Sequence, residues 1–362
     1  MHKHRYAYLD GLRGAAAIIV MIFHAQTLWG FNLAHGYLAV DVFFLMSGFV
    51  IASAYDARLA SEELTALGFL KVRLIRLYPV YLMSFVISLP LFLKTYLGVE
   101  GITPGGLLFA AKTMALNLLM LPSYSPRAAV LFAVNLVYWS LFFELVVNMI
   151  YAACYRFLKG RILLFIIAAS GLALSGLTLM HGNLDYGVSW PEFGTGLLRA
   201  VFGIFAGVGL FRYRYKITVP LNRVPAAFVL MFACLPMLLP ETGPFDAAID
   251  ILAVLAVFPA AILVLSRAIS TRATGLWLAL GAASYPLYLF HFQVWKYAEI
   301  ILRYHPEKYA PVAGLVTLGL LILFSIILER RVDEPVRRWM TRRWIKRPIS
   351  LPSTKAETDI AA

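Results

Sequence analysis

Long apolar stretches dominate the chain and are separated by short polar segments. A stretch of roughly 20 apolar residues, rising 1.5 Å per residue in a helix, spans the roughly 30 Å hydrocarbon core of a bilayer. The pattern therefore predicts an all-α polytopic membrane protein with about ten transmembrane helices. The predicted spans are residues 12–32, 38–55, 78–97, 129–151, 162–180, 196–211, 225–240, 249–266, 276–298 and 310–328.

Two other segments are predicted to lie at the membrane surface. Residues 101–121 contain glycine, proline and lysine, and we interpret them as a re-entrant or interfacial piece rather than an eleventh crossing. Residues 62–77 carry leucines at helical spacing, with Lys71, Arg73 and Arg76 toward one end. This pattern is typical of a cytoplasmic interfacial helix.

Composition and charge support an all-α membrane protein and predict on which side of the membrane its termini lie. Hydrophobic residues make up 61% of the sequence and charged residues 14%, too few polar residues to cover a soluble protein of this length. With ten spans, both termini lie on the same side of the membrane, and most of the 32 lysines and arginines fall on that side. The opposite loops, 181–195 and 241–248, carry acidic residues and no lysine or arginine. This bias predicts that both termini are cytoplasmic.

The net charge of +13 is attributed to this topology and to contact with anionic membrane lipids. The basic residues form no nucleic-acid-binding motif, and nucleic acid is not expected as a partner. No linker or repeat divides the chain, so we expect one membrane domain over residues 1–345. Residues 346–362 are polar and contain proline, which predicts a disordered cytoplasmic tail. The chemistry must then come from the helices and their loops.

Arg13 and His24 are ionisable residues in the first predicted span. Charged groups are costly in hydrocarbon, and such residues often mark a functional site. Their separation is nearly three helical turns, so both side chains project from a similar face. Two simpler interpretations remain open. Arg13 could extend to the lipid headgroups, and His24 could be a neutral, hydrogen-bonded histidine within the bundle.

Other polar residues interrupt later spans. Asp41 and Ser47 lie in the second span, and Glu144 lies deep in the fourth. A buried carboxylate binds a cation, relays protons or is held protonated by its neighbours. In the ninth span, Tyr288 and His291 are neighbours on one helical face. The second, fourth and ninth spans therefore add polar groups to those of the first.

Three classes of protein could use these residues. An acyl-transfer enzyme would use histidine as general base and cations to hold an anionic donor. A proton-coupled transporter would use the acids and histidines as a relay. A metal site is not expected, because no paired histidine or acid spacing supports it. Residue chemistry alone leaves the enzyme and the transporter open.

Six short motifs, in order along the chain, resemble those of the membrane-bound acyltransferase 3 superfamily of integral membrane O-acyltransferases. The first is the basic residue, ten intervening residues and histidine of Arg13 and His24. Ala39 stands where the family usually has glycine, and "LVVNMIY" follows Glu144 in place of a commoner Gln-Phe-Tyr run. The other motifs are "AVDVFFLMSGF" (39–49), "RLIRLYP" (73–79), "WSLFFEL" (139–145), "SYPLYLFH" (284–291) and "DEP" (333–335).

The resemblance implies transfer of an acyl group, most often acetyl from acetyl-CoA, to a hydroxyl of an envelope or secreted glycan. Some relatives acylate small molecules such as macrolides. It implies acyl-CoA as donor co-substrate with no permanently bound cofactor. A carbohydrate or lipid-linked glycan is the implied acceptor, in a multi-pass protein of the bacterial inner membrane. Membrane lipids are further partners, and assembly into a homo-oligomer stays open.

The resemblance also implies roles for the arginines. Arg73 and Arg76 are expected on the cytoplasmic side, where CoA is found, and guanidinium groups bind phosphate oxygens through paired hydrogen bonds. Arg13 is expected to hold a phosphate or the thioester region deeper in the protein. The three arginines are therefore the expected acyl-CoA-binding residues.

His24 is the expected general base, which takes the proton of the acceptor hydroxyl as it attacks the thioester. A covalent acyl-histidine intermediate is an alternative. Asp41 or Glu144 could orient the imidazole, as a carboxylate does in a catalytic triad. The rival function is a proton-coupled transporter or flippase of glycan intermediates, with His24 and Glu144 as relay. Candidate lining residues are Ser47, Tyr288 and His291.

Overall fold

The computed structural model describes residues 6–100, 103–124, 129–216, 225–268, 274–302 and 305–345. The predicted tail at 346–362 lies outside the described residues. Within them, regular structure is helical apart from one isolated β-bridge between Val130 and Ser189. The helices are α1 (Ala7–His24), α2 (Gln26–Trp29), α3 (Ala39–Ala60), α4 (Ala66–Glu100), α5 (Pro104–Leu118), α6 (Tyr138–Ala153), α7 (Gly160–His181), α8 (Phe193–Tyr213), α9 (Ala226–Leu238), α10 (Asp246–Leu252), α11 (Phe258–Leu265), α12 (Thr274–Ile301), α13 (Val312–Leu328) and α14 (Glu334–Trp344).

Each of the ten predicted spans overlaps one of these helices. Seven helical segments of the described chain are long and apolar enough to cross a membrane. Two shorter apolar helices, Tyr138–Ala153 and Ala226–Leu238, add to them. The protein is therefore an all-α membrane protein. The total of ten crossings and the cytoplasmic position of the termini remain predictions. The seven segments are Ala7–His24, Gly36–Ala60, Ala66–Tyr96, Gly160–His181, Phe193–Lys216, Gly243–Leu265 and Val312–Trp344.

The helix predicted at residues 62–77 is not a separate element, and its position at the membrane surface remains a prediction. Residues 66–100 form one helix, α4, that continues through Pro79 and Pro90. Phe69 and Ile75, in its first half, are buried at 0% and 4% exposure. One face of the segment therefore packs into the bundle, where Arg73 and Arg76 contact acidic side chains.

Residues within the predicted surface piece 101–121 form helix α5, which packs against α4. Thr103 caps its first turn, because the hydroxyl accepts a hydrogen bond from Gly106 N at 3.1 Å. Pro104 follows at a helical position that needs no N–H donor. Whether α5 crosses the membrane is not decided by its length, and the surface position remains a prediction.

Two close helix pairs place the polar residues. Helix α3 packs against α8, where Gly48 and Gly207 bring the two backbones together. Helix α1 packs against α12, where a Cβ atom at Gly14 would lie 2.7 Å from Leu280. Small residues permit such close approach between helices in a membrane. The first span is thereby fixed beside α12, which carries the "SYPLYLFH" motif.

Candidate active site

A cavity with a volume of about 180 Å³ opens between α1, α3, α4, α6 and α12. We call it the arginine cavity, because its three cations belong to residues predicted to bind an anionic donor. Its remaining lining includes apolar side chains of α3 and α6 and the hydroxyl groups of Ser140, Ser284 and Tyr285. Six residues singled out in the sequence line it together: Arg13, Ser47, Arg73, Arg76, Glu144 and Tyr288.

Glu144 is the acidic group of this cavity and is tied to α4 and α3. Arg73 Nη2 donates to Glu144 Oε1 at 2.5 Å, and Ser47 Oγ donates to the same oxygen at 2.5 Å. The exposed fractions of the Arg73 and Glu144 side chains are 13% and 19%. Glu144 is the one carboxylate among the described lining residues, and three guanidinium groups with fixed positions could bind the oxygens of an anionic ligand there.

Arg13 connects α1 to α12. Its Nε donates to Ser284 Oγ at 2.9 Å, and its Nη2 donates to the carbonyl oxygen of Gly281 at 2.7 Å. Nη2 also contacts Asp10 Oδ1 at 2.7 Å. The guanidinium is therefore held against α12 at the wall of the cavity, rather than directed only to lipid headgroups.

Arg76 is held by the "DEP" motif. Its Nη1 lies 3.2 Å from Asp333 Oδ2, and its guanidinium lies over the Tyr285 ring at 5.5 Å from the centroid. Asp333 is fully buried and ends the π-helical turn Glu329–Asp333. Arg337 Nε approaches the same Asp333 oxygen at 2.9 Å. The motif thus places a buried carboxylate beside a cation of the arginine cavity.

A second, smaller cavity of about 60 Å³ lies at the other end of the bundle, where α1 ends and α3 begins. We call it the histidine cavity. Val40 and Tyr288 line both cavities, so the two meet at these side chains. Aromatic rings and two charged groups dominate the rest of its wall: Phe23, His24, Tyr37, Trp139, Asp185 and Arg199.

The hydrogen bonds around His24 define which ring nitrogen carries its hydrogen. Nδ1 lies 2.9 Å from the carbonyl oxygen of Val20 and 3.3 Å from Nε2 of His291. A carbonyl oxygen only accepts, so Nδ1 must be the donor. In a neutral imidazole, Nε2 then carries the lone pair. No hydrogen bond from the described residues engages that nitrogen.

His291 is oriented in the same way. Its Nδ1 lies 2.6 Å from the carbonyl oxygen of Tyr288, so Nδ1 again carries the hydrogen and Nε2 can accept from His24. His291 is fully buried. Both imidazoles can therefore be neutral with every observed contact satisfied, and His24 Nε2 remains free to take a proton.

Asp41 lies beside Arg199, not beside His24. Arg199 Nε and Nη2 donate to the two Asp41 oxygens at 3.1 and 2.7 Å, and the side chains are 1% and 2% exposed. The remaining N–H groups donate to the carbonyl oxygens of Tyr186 and Tyr37 at 2.7 and 3.2 Å. Among the described hydrogen bonds, neither Asp41 nor Glu144 reaches the His24 ring.

Arg199 was not predicted as a site residue, although its position within a predicted span made it a candidate. It lies within the predicted span 196–211, and an ionisable residue in a span is by default a candidate functional residue. Its partner is 158 positions away in the sequence, so no local spacing connects the two. The ion pair closes the wall of the histidine cavity on its α8 side.

A second group missed in the sequence surrounds His35, which is 1% exposed. Its Nδ1 contacts Asp250 Oδ1 at 2.8 Å, and its Nε2 lies 3.3 Å from Asp246 Oδ1. Tyr37 OH and Leu184 N donate to the other Asp250 oxygen at 2.7 and 2.8 Å. Burial lowers the pKa of His35, but the hydrogen bond and charge of Asp250, with the charge of Asp246, raise it overall.

The arrangement allows one kind of chemistry directly. Three guanidinium groups can hold an anionic group in one cavity, while a neutral imidazole in the adjoining cavity can accept a proton. Among the described residues, no group of three or more histidine, cysteine or acidic side chains is arranged to hold a metal ion.

A family profile described as an acyltransferase domain, acyltransferase 3, matches residues 6–330 of the chain. The matched region contains five of the six motifs and all of the predicted site residues. Only the "DEP" motif, at 333–335, lies beyond it.

Individual proteins match over different shares of the chain. Protein 2 in the picA locus of Rhizobium radiobacter is 42% identical over 159 residues, which are 41% of this chain and 81% of that protein. Acyltransferase MdmB of Streptomyces mycarofaciens is 25% identical over 96% of this chain and 94% of its own length. O-acetyltransferase OatA of Staphylococcus aureus is 36% identical over 104 residues, 28% of this chain and 17% of that protein. No solved structure matches the chain significantly.

Proposed function

Because the chain belongs to the acyltransferase 3 family, we propose that it is an O-acyltransferase of the bacterial inner membrane that uses cytoplasmic acyl-CoA. The acyl group is acetyl, and the acceptor is a hydroxyl of a cell-envelope or secreted glycan. One observation carries the proposal. A histidine nitrogen free to accept a proton borders a cavity that adjoins three arginines.

The arginine cavity is the proposed donor site. Its wall contains Arg13, from the first half of α1, so with a cytoplasmic N-terminus it faces the compartment that contains CoA. Arg73 and Arg76 bind the phosphates of the donor through charge-assisted hydrogen bonds. Glu144 and Ser47 keep Arg73 in place, while Arg13, held against α12, binds the region near the thioester. The convergence of three guanidinium groups on one cavity supports this assignment.

His24 Nε2 is the proposed general base. The acceptor hydroxyl enters the histidine cavity and gives its proton to Nε2 as its oxygen bonds to the thioester carbonyl carbon. The carbon–sulfur bond then breaks, and the proton passes from His24 to the thiolate of CoA. The products are the O-acyl ester and CoA, and the histidine returns to its neutral form.

His291 is the proposed group that orients the base. Its contact with His24 Nδ1 and the Val20 carbonyl together favour the tautomer that leaves Nε2 unprotonated. In this proposal Asp41 and Glu144 do not contact His24 but act through the arginines that they hold. Asp41 holds Arg199 in the wall of the histidine cavity, and Glu144 holds Arg73 in the donor site.

The proposal is tested by His24→Asn in the purified full-length protein with radiolabelled acetyl-CoA and glycan acceptors. Asparagine keeps a short polar side chain near Val20 and His291 but cannot act as a base. We expect acetyl transfer to fall by about 10²–10⁴-fold, with CoA binding retained. The measurement is labelled ester formed per unit time, beside CoA binding by the same protein.

The matched control is His181→Asn, at the exposed end of α7, which should leave transfer unchanged. A His24→Asn protein that transfers acetyl at the wild-type rate would contradict the role of the base. A wild-type protein that neither binds nor consumes acetyl-CoA would overturn the proposed function as a whole.

A further inference from the structure

Two side chains lie at the junction where the arginine cavity and the histidine cavity meet. Val40 lies in the first turn of α3 and is 5% exposed, and Tyr288 lies in α12 and is 8% exposed. Both line both cavities. Both side chains therefore lie at the point where the arginine cavity ends and the histidine cavity begins.

Contacts with α6 and α3 hold Tyr288 in place at this junction. The hydroxyl of Tyr288 is 2.6 Å from Ser140 Oγ on α6. The ring of Phe43, one turn after Val40 on α3, packs edge-on against the Tyr288 ring with centroids 5.3 Å apart. Three helices therefore fix the position of the tyrosine ring. A ligand that reaches the junction meets a packed surface.

The proposed function, on which this inference rests, places the reacting carbon at that junction. The donor phosphates bind at the arginines, and the base acts from the histidine cavity, so the thioester carbonyl must reach the point where the cavities meet. Each further methylene of the acyl chain would then press on Val40 and Tyr288 or enter the histidine cavity. That cavity has about 60 Å³, room for only a few water molecules, and the acceptor hydroxyl must also enter it.

We propose that Val40 and Tyr288 determine the length of the acyl group, so that acetyl is transferred and longer chains are excluded. The isopropyl group of Val40 and the ring of Tyr288 act by occupying volume, not by taking part in the reaction. Enlarging the junction should admit longer chains, and filling it further should exclude even one additional methylene.

The test compares Val40→Ala with Val50→Ala in the purified full-length protein. Both valines lie on α3 and line the arginine cavity, but Val50 does not line the histidine cavity and is 39% exposed. Acetyl-CoA and butyryl-CoA compete in one reaction, and mass spectrometry measures the ratio of the two esters. We expect Val40→Ala to raise the butyryl-to-acetyl ratio by about tenfold or more, the usual effect of one or two methylenes in an apolar pocket. Val50→Ala should leave the ratio at the wild-type value.

Two more variants test the proposal in case Val40→Ala is inactive. Val40→Ile adds one methylene and should lower the propionyl-to-acetyl ratio, while Tyr288→Phe keeps the ring and should preserve it. Equal ratios in Val40→Ala and Val50→Ala, or an unchanged ratio in Val40→Ile, would overturn the inference while acetyl transfer stands. A wild-type protein that uses no acyl-CoA would instead remove the proposed function.

Discussion

Arg199 and Asp41 place two opposite charges where the described bundle excludes solvent almost completely. The two side chains are 1% and 2% exposed and share two hydrogen bonds. Burying an ion costs several kcal/mol unless a partner compensates it. Removing one partner therefore leaves an uncompensated charge, which is worse than removing both.

Asp41→Ala should lower the free energy of unfolding by about 3–5 kcal/mol, because it leaves the Arg199 charge buried and unpaired. The double variant Asp41→Ala with Arg199→Leu should be more stable than Asp41→Ala alone. Thermal unfolding in detergent micelles measures both effects. The same cycle on Arg156 and Glu62, which are 73% and 71% exposed, should give an interaction near zero. A double variant less stable than either single one would contradict this explanation.

At the residue scale, the sequence predicted which residues line the cavities better than it predicted which side chains each of them contacts. Arg13 and His24 could be found because their spacing puts them on one helical face. Arg73 and Glu144 were both expected at the site, but their ion pair joins residues 71 positions apart. The Asp250 partner of His35 is 215 positions away. Such pairs depend on how helices pack, which local periodicity does not describe.

At the element scale, the crossing of α3 and α8 depends on two glycines. A Cβ at Gly48 would collide with the carbonyl oxygen of Ile204, and one at Gly207 with that of Leu45. Both collisions involve backbone atoms, which cannot rotate away as a side-chain end can. Since Val40 and Asp41 lie on α3 and Arg199 on α8, this crossing also determines the shape of the histidine cavity.

Gly207→Ala should destabilise the protein by about 1–3 kcal/mol, because the added methyl group forces the helices apart. Gly176→Ala is the matched control. Gly176 lies in α7, and a Cβ there would meet no atom within 4 Å. This change should be neutral or stabilise by about 0.5–1 kcal/mol, the helical advantage of alanine over glycine. Melting temperatures in micelles compare the two, and equal shifts would show that the crossing tolerates a side chain.

Hydropathy located the helices but not where each begins and ends. Every predicted span overlaps a helix because long apolar stretches need a helix in lipid. The segment before Pro79 was predicted as a surface helix because its leucines recur at helical spacing and its basic residues cluster toward one end. In the structure it belongs to α4, and Arg73 and Arg76 pair with Glu144 and Asp333. These tertiary ion pairs are not described by the periodicity of the sequence.

At the scale of the whole molecule, the His35 cluster holds together three parts of the chain at the end that bears the histidine cavity. Asp250 of α10 contacts His35 and Tyr37 before α3 and the backbone of Leu184 after α7. Asp246 faces the other ring nitrogen. The charge of His35 therefore affects packing between distant segments.

Raising pH should weaken this cluster. The pKa of folded His35 lies above its ordinary value, so the stability it contributes is fully present below about pH 6.5. That contribution is lost as pH rises through the folded-state pKa. The melting temperature of the wild type should therefore fall more between pH 6 and pH 9 than that of His35→Gln. His305→Gln, at an exposed histidine, should keep the wild-type dependence, and identical slopes in all three proteins would contradict the role of His35.

The pairing of α1 with α12 has a consequence for biosynthesis. Arg13 reaches Ser284, and His24 reaches His291, across 271 and 267 positions of sequence. A ribosome makes the first helix early and its partner late, so the nascent chain inserts the two halves of the site far apart in time. During most of translation, the arginine and the histidine lack the helix that positions them. In the proposed mechanism, acyl transfer therefore begins only after α12 has entered the membrane and docked, and unfinished chains consume no donor.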